Sequence, residues 1–152
     1  QLAEAQRRTE ERLNQLAEAV VALNKSVAAL GDVIGFGLED IARVVLPGWL
    51  HRHLGVEVGE LTRRFISAGG EEHEVNLYGE GERGGRRVVV IGEAKSRIHE
   101  SDVDRFWGAL SSMMGAFEGA EVIGVMFGYL IYPRAKERAE EKGIYVVASY
   151  ER

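Results

Sequence analysis

The stretch Glu74-Val75-Asn76-Leu77-Tyr78, a glycine-rich turn around Gly81, Gly84 and Gly85, and then Val88-Val89-Val90-Ile91-Gly92-Glu93-Ala94-Lys95 decides how this chain reads. Two apolar runs separated by glycines predict a hairpin in which Glu74–Gly79 pairs with Arg86–Lys95. Strand side chains alternate between faces, so Glu93 and Lys95 point the same way, and Glu74 and Asn76 likewise. A buried hairpin that projects two carboxylates, an amide oxygen and an ammonium from one face is costly unless something binds there. A hard cation such as Mg²⁺ (or Mn²⁺), with the lysine beside it, satisfies that set.

Outward from the hairpin, Leu61 to Ala68 reads as a preceding strand closed by Gly69-Gly70. Downstream, Ser101 is placed to cap a helix, with Asp104 as its capping-box partner. The apolar positions of that helix, Val103, Phe106, Trp107, Leu110, Met113, Met114 and Phe117, fall on one face. Val122 to Tyr132 is almost wholly apolar and reads as a buried central strand. Pro133 suits the first turn of a helix and Gly143 its end, before a last strand at 144–150. The expected class is α/β, a mixed sheet flanked by helices and preceded by a long N-terminal coiled-coil helix.

That helix is read from heptads. Leu13, Val20, Val27 and Ile34 form one row and Leu16, Leu23 and Leu30 the other. The first row is mostly β-branched and the second all leucine, a choice that favours two parallel strands. Residues 1–34 are therefore expected to form a coiled-coil oligomerisation helix, a homodimer being favoured, and 35–152 a separate domain. Gly35 and Gly37 mark a hinge or a close-packing point, and Pro47-Gly48 is expected to stop the helix.

The bulk numbers set limits. With 152 residues, 45% of them hydrophobic, the chain can bury a real core and is not disordered. The absence of cysteine excludes disulfides, thiolate zinc sites and a cysteine nucleophile. A net charge of −5 argues against a generic nucleic-acid coat protein, but not against an enzyme with a local basic rim. No apolar run reaches the length of a membrane span, no secretory signal is visible, and the expected setting is cytoplasmic, without a membrane partner. The chain begins at Gln1, which leaves an upstream segment open.

The order helix, three strands, helix, strand, with an acid or amide on the second strand and Glu93-Ala94-Lys95 on the third, resembles the PD-(D/E)XK nuclease superfamily over roughly Gly35 to Tyr150. The resemblance implies a restriction-endonuclease-like fold and Mg²⁺-dependent hydrolysis of phosphodiester bonds, in DNA above all. By the same resemblance Glu93 is a metal-binding acid and Lys95 the catalytic lysine. Asn76 stands where many members have aspartate. An amide oxygen can ligate Mg²⁺ but adds no charge, so either Asn76 or Glu74 supplies the ligand of that strand. Glu39 matches an acidic helix position that some members use as a further ligand. The departure at Asn76 keeps a second reading open: a silenced nuclease fold acting as an oligomeric scaffold or nucleic-acid-binding module. Phosphate contacts are expected from Arg97, on the face of Glu93 and Lys95 if the strand continues, and from the hairpin arginines Arg86 and Arg87, next to the site.

Overall fold

A computed structural model describes residues 1–151. The chain divides into two compact units, Gln1–Ile34 and the residues from Gly35 onward. A continuous helix, α1 (Leu2–Leu54), contributes to both. Within the first unit no residue is buried. The two heptad rows, from Leu13 to Ile34, are 46–62% exposed. One 18-residue window of α1 has mean hydropathy 1.5 and is 0% buried, enough by length and composition to cross a membrane. By that measure α1 qualifies, although Lys25 and Asp32 keep its apolar stretch from being an unbroken run.

Two breakers in α1 do not break it. The helix runs through Gly35 and Gly37, where an added Cβ would meet nothing within 4 Å, so neither is a close-packing point. It also runs through Pro47, which removes one backbone donor and disfavours a helix interior by about 3 kcal/mol. Leu46 and Leu50 are fully buried and Trp49 nearly so. Burial of these three side chains, each worth about 1.5–3 kcal/mol, outweighs the local penalty.

In the second unit the strands are β1 (Glu57–Val58), β2 (Thr62–Ala68), β3 (Glu71–Arg83), β4 (Arg86–Ala94), β5 (Arg97–Ile98), β6 (Glu121–Gly128), β7 (Leu130–Ile131) and β8 (Tyr145–Ala148). Helix α2 (Glu100–Met113) precedes β6, with a 3-10 turn at Met114–Phe117, and α3 (Pro133–Lys142) precedes β8. The main sheet has the order β1-β3-β4-β6-β8, with β2 also paired to β3. β3 is antiparallel to β1, β2 and β4, while β4-β6 and β6-β8 are parallel. The expected strand from Val122 to Tyr132 ends at Gly128, and β7 pairs with β5 in a small second sheet.

Two cores sit on the two faces. Leu38, Leu46 and Leu50 of α1 pack with Leu77, Val88, Val90 and Val125. Phe106, Leu110 and Met113 of α2 pack with Val89, Ile91 and Met126, joined by Ala135 and Ala139 of α3. The odd-and-even split of Val88 to Ile91 between these cores is the strand alternation made physical. The β3-β4 turn is Gly84-Gly85, both at positive φ (57° and 80°), the two-residue geometry that glycine adopts without strain. Gly81 is not in that turn; it lies within β3 opposite Val58. A Cβ there would overlap the Glu57 carbonyl oxygen. Gly81→Ala is therefore expected to displace β1 and destabilise the fold by about 1–3 kcal/mol, read as a lowered thermal midpoint; an unchanged midpoint would refute the close approach.

Candidate active site

The site is made where β3 changes partners. Its ladder with β4 runs from Arg83↔Arg86 to Leu77↔Gly92 and stops there. Below that point β3 continues to Glu71 against β2, and β4 continues to Ala94 against β6. Between Thr62↔Tyr78 and Arg64↔Val75 the register shifts, so that β3 carries one residue more than β2 at Asn76-Leu77. Val75 and Tyr78, three apart, consequently lie in the same core. A cleft of about 370 Å³ opens where the strands part, lined by Glu74, Asn76 and Glu93 and by Arg105 and Phe106 of α2, among others.

The sequence-derived acids have different surroundings. Glu93 follows Val89 and Ile91 on the face of α2 and is half-buried. Burial pushes its carboxyl above the usual range, and Lys95 and Arg105 offset this only in part. Among the described residues it has no ion pair or hydrogen-bond partner. Asn76 Oδ1 accepts the Ala94 N–H at 3.4 Å, spanning the gap between the parted strands. Glu74 instead pairs with Arg63, whose other guanidinium nitrogen pairs with Glu39 of α1. Glu39 is 6% exposed and also meets Arg43 at 3.4 Å, while Arg63 lies 5.5 Å from the Phe36 ring centroid. The register break falls at Asn76-Leu77, and Glu74 and Asn76 both line the cleft, although Glu74 is held by Arg63. Glu39 and Glu74 are brought together on a guanidinium. Among the described residues, no three acidic or histidine side chains converge as a preformed metal cage.

Lys95 lies just past β4, its N–H donating to the Phe127 carbonyl at 2.9 Å. Its ammonium pairs with Asp102, which the expected Ser101–Asp104 cap does not include. The cap is also different from the one expected: α2 starts at Glu100, His99 is its N-cap, and Asp102 accepts the His99 N–H. The spacing of His99 and Asp102 was a usable signal, masked by the more familiar serine at 101. His73 also lines the cleft; its buried Nε2 has no hydrogen-bond partner among the described residues, and Glu71 Oε2 lies 4.0 Å away.

Three arginine expectations need correction. β4 ends at Ala94, so the alternation that placed Arg97 with Glu93 and Lys95 does not reach it; Arg97 sits exposed in β5. Arg86 and Arg87 are at the far end of β4. Arg87 stands six residues, or roughly 20 Å, from Glu93 and pairs with Glu80.

With this geometry in hand, known proteins give the following likenesses. The sequence profile of a family described as "Domain of unknown function (DUF8196)" matches residues 40–152. No curated protein matches. Among solved structures, a protein of unknown function, AF1548, superposes with a TM-score of 0.50 at 17% identity, over 76% of this chain and 59% of that one. The MspJI restriction endonuclease in complex with a 27-mer oligonucleotide superposes with a TM-score of 0.51 at 19% identity, over 84% of this chain and 29% of that one. A repair endonuclease from Pyrococcus abyssi aligns with a TM-score of 0.44 at 16% identity, over 68% of this chain and 43% of that one. The chain thus spans less than two thirds of each of these proteins. At such identities the likeness is one of fold, which is restriction-endonuclease-like.

Because folding raises the Glu93 carboxyl above its unfolded value, this group opposes folding at neutral pH and does so less as pH falls through the raised value. Glu93→Gln is expected to raise the thermal midpoint at pH 7 and to leave it nearly unchanged at pH 4. A lower midpoint at pH 7 would show that the carboxylate is satisfied within the fold.

Proposed function

We propose that this chain, which belongs to the DUF8196 family, is a metal-dependent nuclease of the PD-(D/E)XK type that hydrolyses phosphodiester bonds in DNA as a coiled-coil homodimer. The observation that carries the reading is Glu93: a desolvated carboxylate without a protein partner among the described residues, in a cleft, with the charge of Lys95 near enough to act on it. A protein does not keep such a group for stability.

The donor set suits Mg²⁺ or Mn²⁺ in a particular way. Glu93 offers one carboxylate and Asn76 one amide oxygen. Mg²⁺ is commonly held by one or two carboxylates, with water and substrate phosphate filling the remaining positions. Glu39 and Glu74 could join only by giving up Arg63. When bound, the cation supplies Lewis-acid charge at a phosphoryl oxygen. The chain's own part is electrostatic and positional. Lys95 offers an ammonium toward non-bridging oxygens, where charge grows as water adds to phosphorus and the leaving oxygen departs with a proton. Phe106 and Met113 give the cleft an apolar wall. Exposed Arg97 is available for a phosphate, whereas Arg86 and Arg87 serve only a substrate that reaches the far end of the hairpin.

The dimer rests on the exposed heptad rows of residues 1–34. Lys25 and Asp32 lie within the apolar part of α1, and each charge costs about 2.5–3.5 kcal/mol at the centre of a bilayer. A helix–helix seam leaves both charges in water. The rival is a silenced nuclease fold serving as scaffold, favoured by the capture of Glu39 and Glu74 by Arg63.

Plasmid, linear and single-stranded DNA incubated with Mg²⁺ or Mn²⁺ are expected to be cut, and Lys95→Ala to lower the rate by about 10²-fold or more. No cleavage with either metal, together with no Glu93-dependent heat on Mg²⁺ titration, would favour the scaffold. Separately, replacing Leu16, Leu23 and Leu30 together with polar residues is expected to halve the mass seen by light scattering. An unchanged mass would remove the coiled coil from the account.

A further inference from the structure

Asp102 is 3% exposed, and its two oxygens do different work. Oδ2 accepts the His99 N–H at 2.8 Å and so secures the first turn of α2. Oδ1 meets the Lys95 ammonium and, at 3.5 Å, the Arg105 guanidinium. As the N3 residue of the capping box, Asp102 needs only one oxygen to accept the His99 N–H, which an asparagine would also provide. The second oxygen is not needed for the cap: it meets Arg105 within α2 and, outside the helix, Lys95.

The partners differ in stiffness. Asp102 is short, buried and pinned to the start of a helix, whereas lysine reaches out on a flexible four-carbon stem. Their pairing therefore fixes Lys95 rather than Asp102. Arg105 is 69% exposed, lines the cleft and leaves most of its guanidinium free. Two cations on one buried carboxylate leave this rim with a net positive charge beside Glu93.

We infer that Asp102 is the positioning residue of the cleft, holding Lys95 beside Glu93 and steering Arg105, so that both cations face an oxyanion of the phosphate-ester class. The oxyanion role rests on the nuclease reading above; the hold on Lys95 does not.

Asp102→Asn keeps an oxygen for the His99 N–H and removes only the charge. The chain has four lysines, Lys25, Lys95, Lys136 and Lys142. Trace acetylation of the full-length protein, read by mass spectrometry, ranks their accessibility. Lys95 is expected to react several-fold more slowly than exposed Lys25 and Lys136, and to lose that protection in Asp102→Asn while the other three keep their rates. Equal reactivity of Lys95 in both proteins would overturn the hold. In the same preparations Mg²⁺-dependent cleavage is expected to fall by about 10–100-fold in Asp102→Asn. Full cleavage by a variant whose Lys95 has become reactive would overturn the positioning role. Arg105→Gln, which leaves the cap intact, is expected to weaken binding of a single-stranded oligonucleotide and to lower its salt slope by about one; an unchanged slope would remove Arg105. A native protein that protects Lys95 but cuts nothing would count against the nuclease reading alone.

Discussion

β3 is committed to β4 at one end and to β2 at the other, and one extra residue at Asn76-Leu77 marks where it leaves the first for the second. Everything at the site follows from this transfer. If the β3-β4 ladder ran on, backbone groups near Glu93 would be paired and the cleft would close. Because it stops at Leu77↔Gly92, the end of β4 is met on that side by the Asn76 side chain rather than by backbone, while β6 still supports it on the other. Gly92 belongs to the same device. A Cβ there would come within 3.0 Å of Val125 and 3.1 Å of Leu77, so the parting strands approach one another closely at this glycine.

The electrostatics fall into two groups. On the side of α1, Arg63 neutralises Glu39 and Glu74, and Arg43 adds to it. On the side of α2, the Asp102 carboxyl is lowered: burial would raise it, but Lys95, the His99 N–H and Arg105 together overcome that. Glu93 lies among these pairs without one of its own. Paired acids keep a fold in register; an unpaired, desolvated acid spends stability on something else.

Much of this was legible from residues alone. The apolar run before Glu93, the buried strand after α2, and the proline and glycine that bound α3 each state their structure locally, because periodicity and backbone restriction act within a few residues. What escaped the sequence depended on distant partners. Pro47 stays helical because of what Leu46 and Leu50 are buried against. The extra residue in β3 shows no local mark, since it appears only when β3 is matched to β2. Arg63 and Asp102 look like ordinary surface charges until the fold sets them against Glu39 and Lys95, 24 and 7 residues away. Arg97 lies off the site because β4, whose alternation would carry it there, ends at Ala94.

Residues 1–34 bury nothing of themselves, while the unit that follows has two closed cores. The two parts therefore answer to different laws. A unit with an internal core has an intrinsic stability, the same in a dilute solution as in a crowded one. A helix whose apolar rows meet only water has no such constant, because isolated helices are marginal and gain order from what covers them. If that cover is another copy, order in this segment follows mass action. It becomes a property of the population, rising and falling with expression level, while the cleft is already formed in every single molecule.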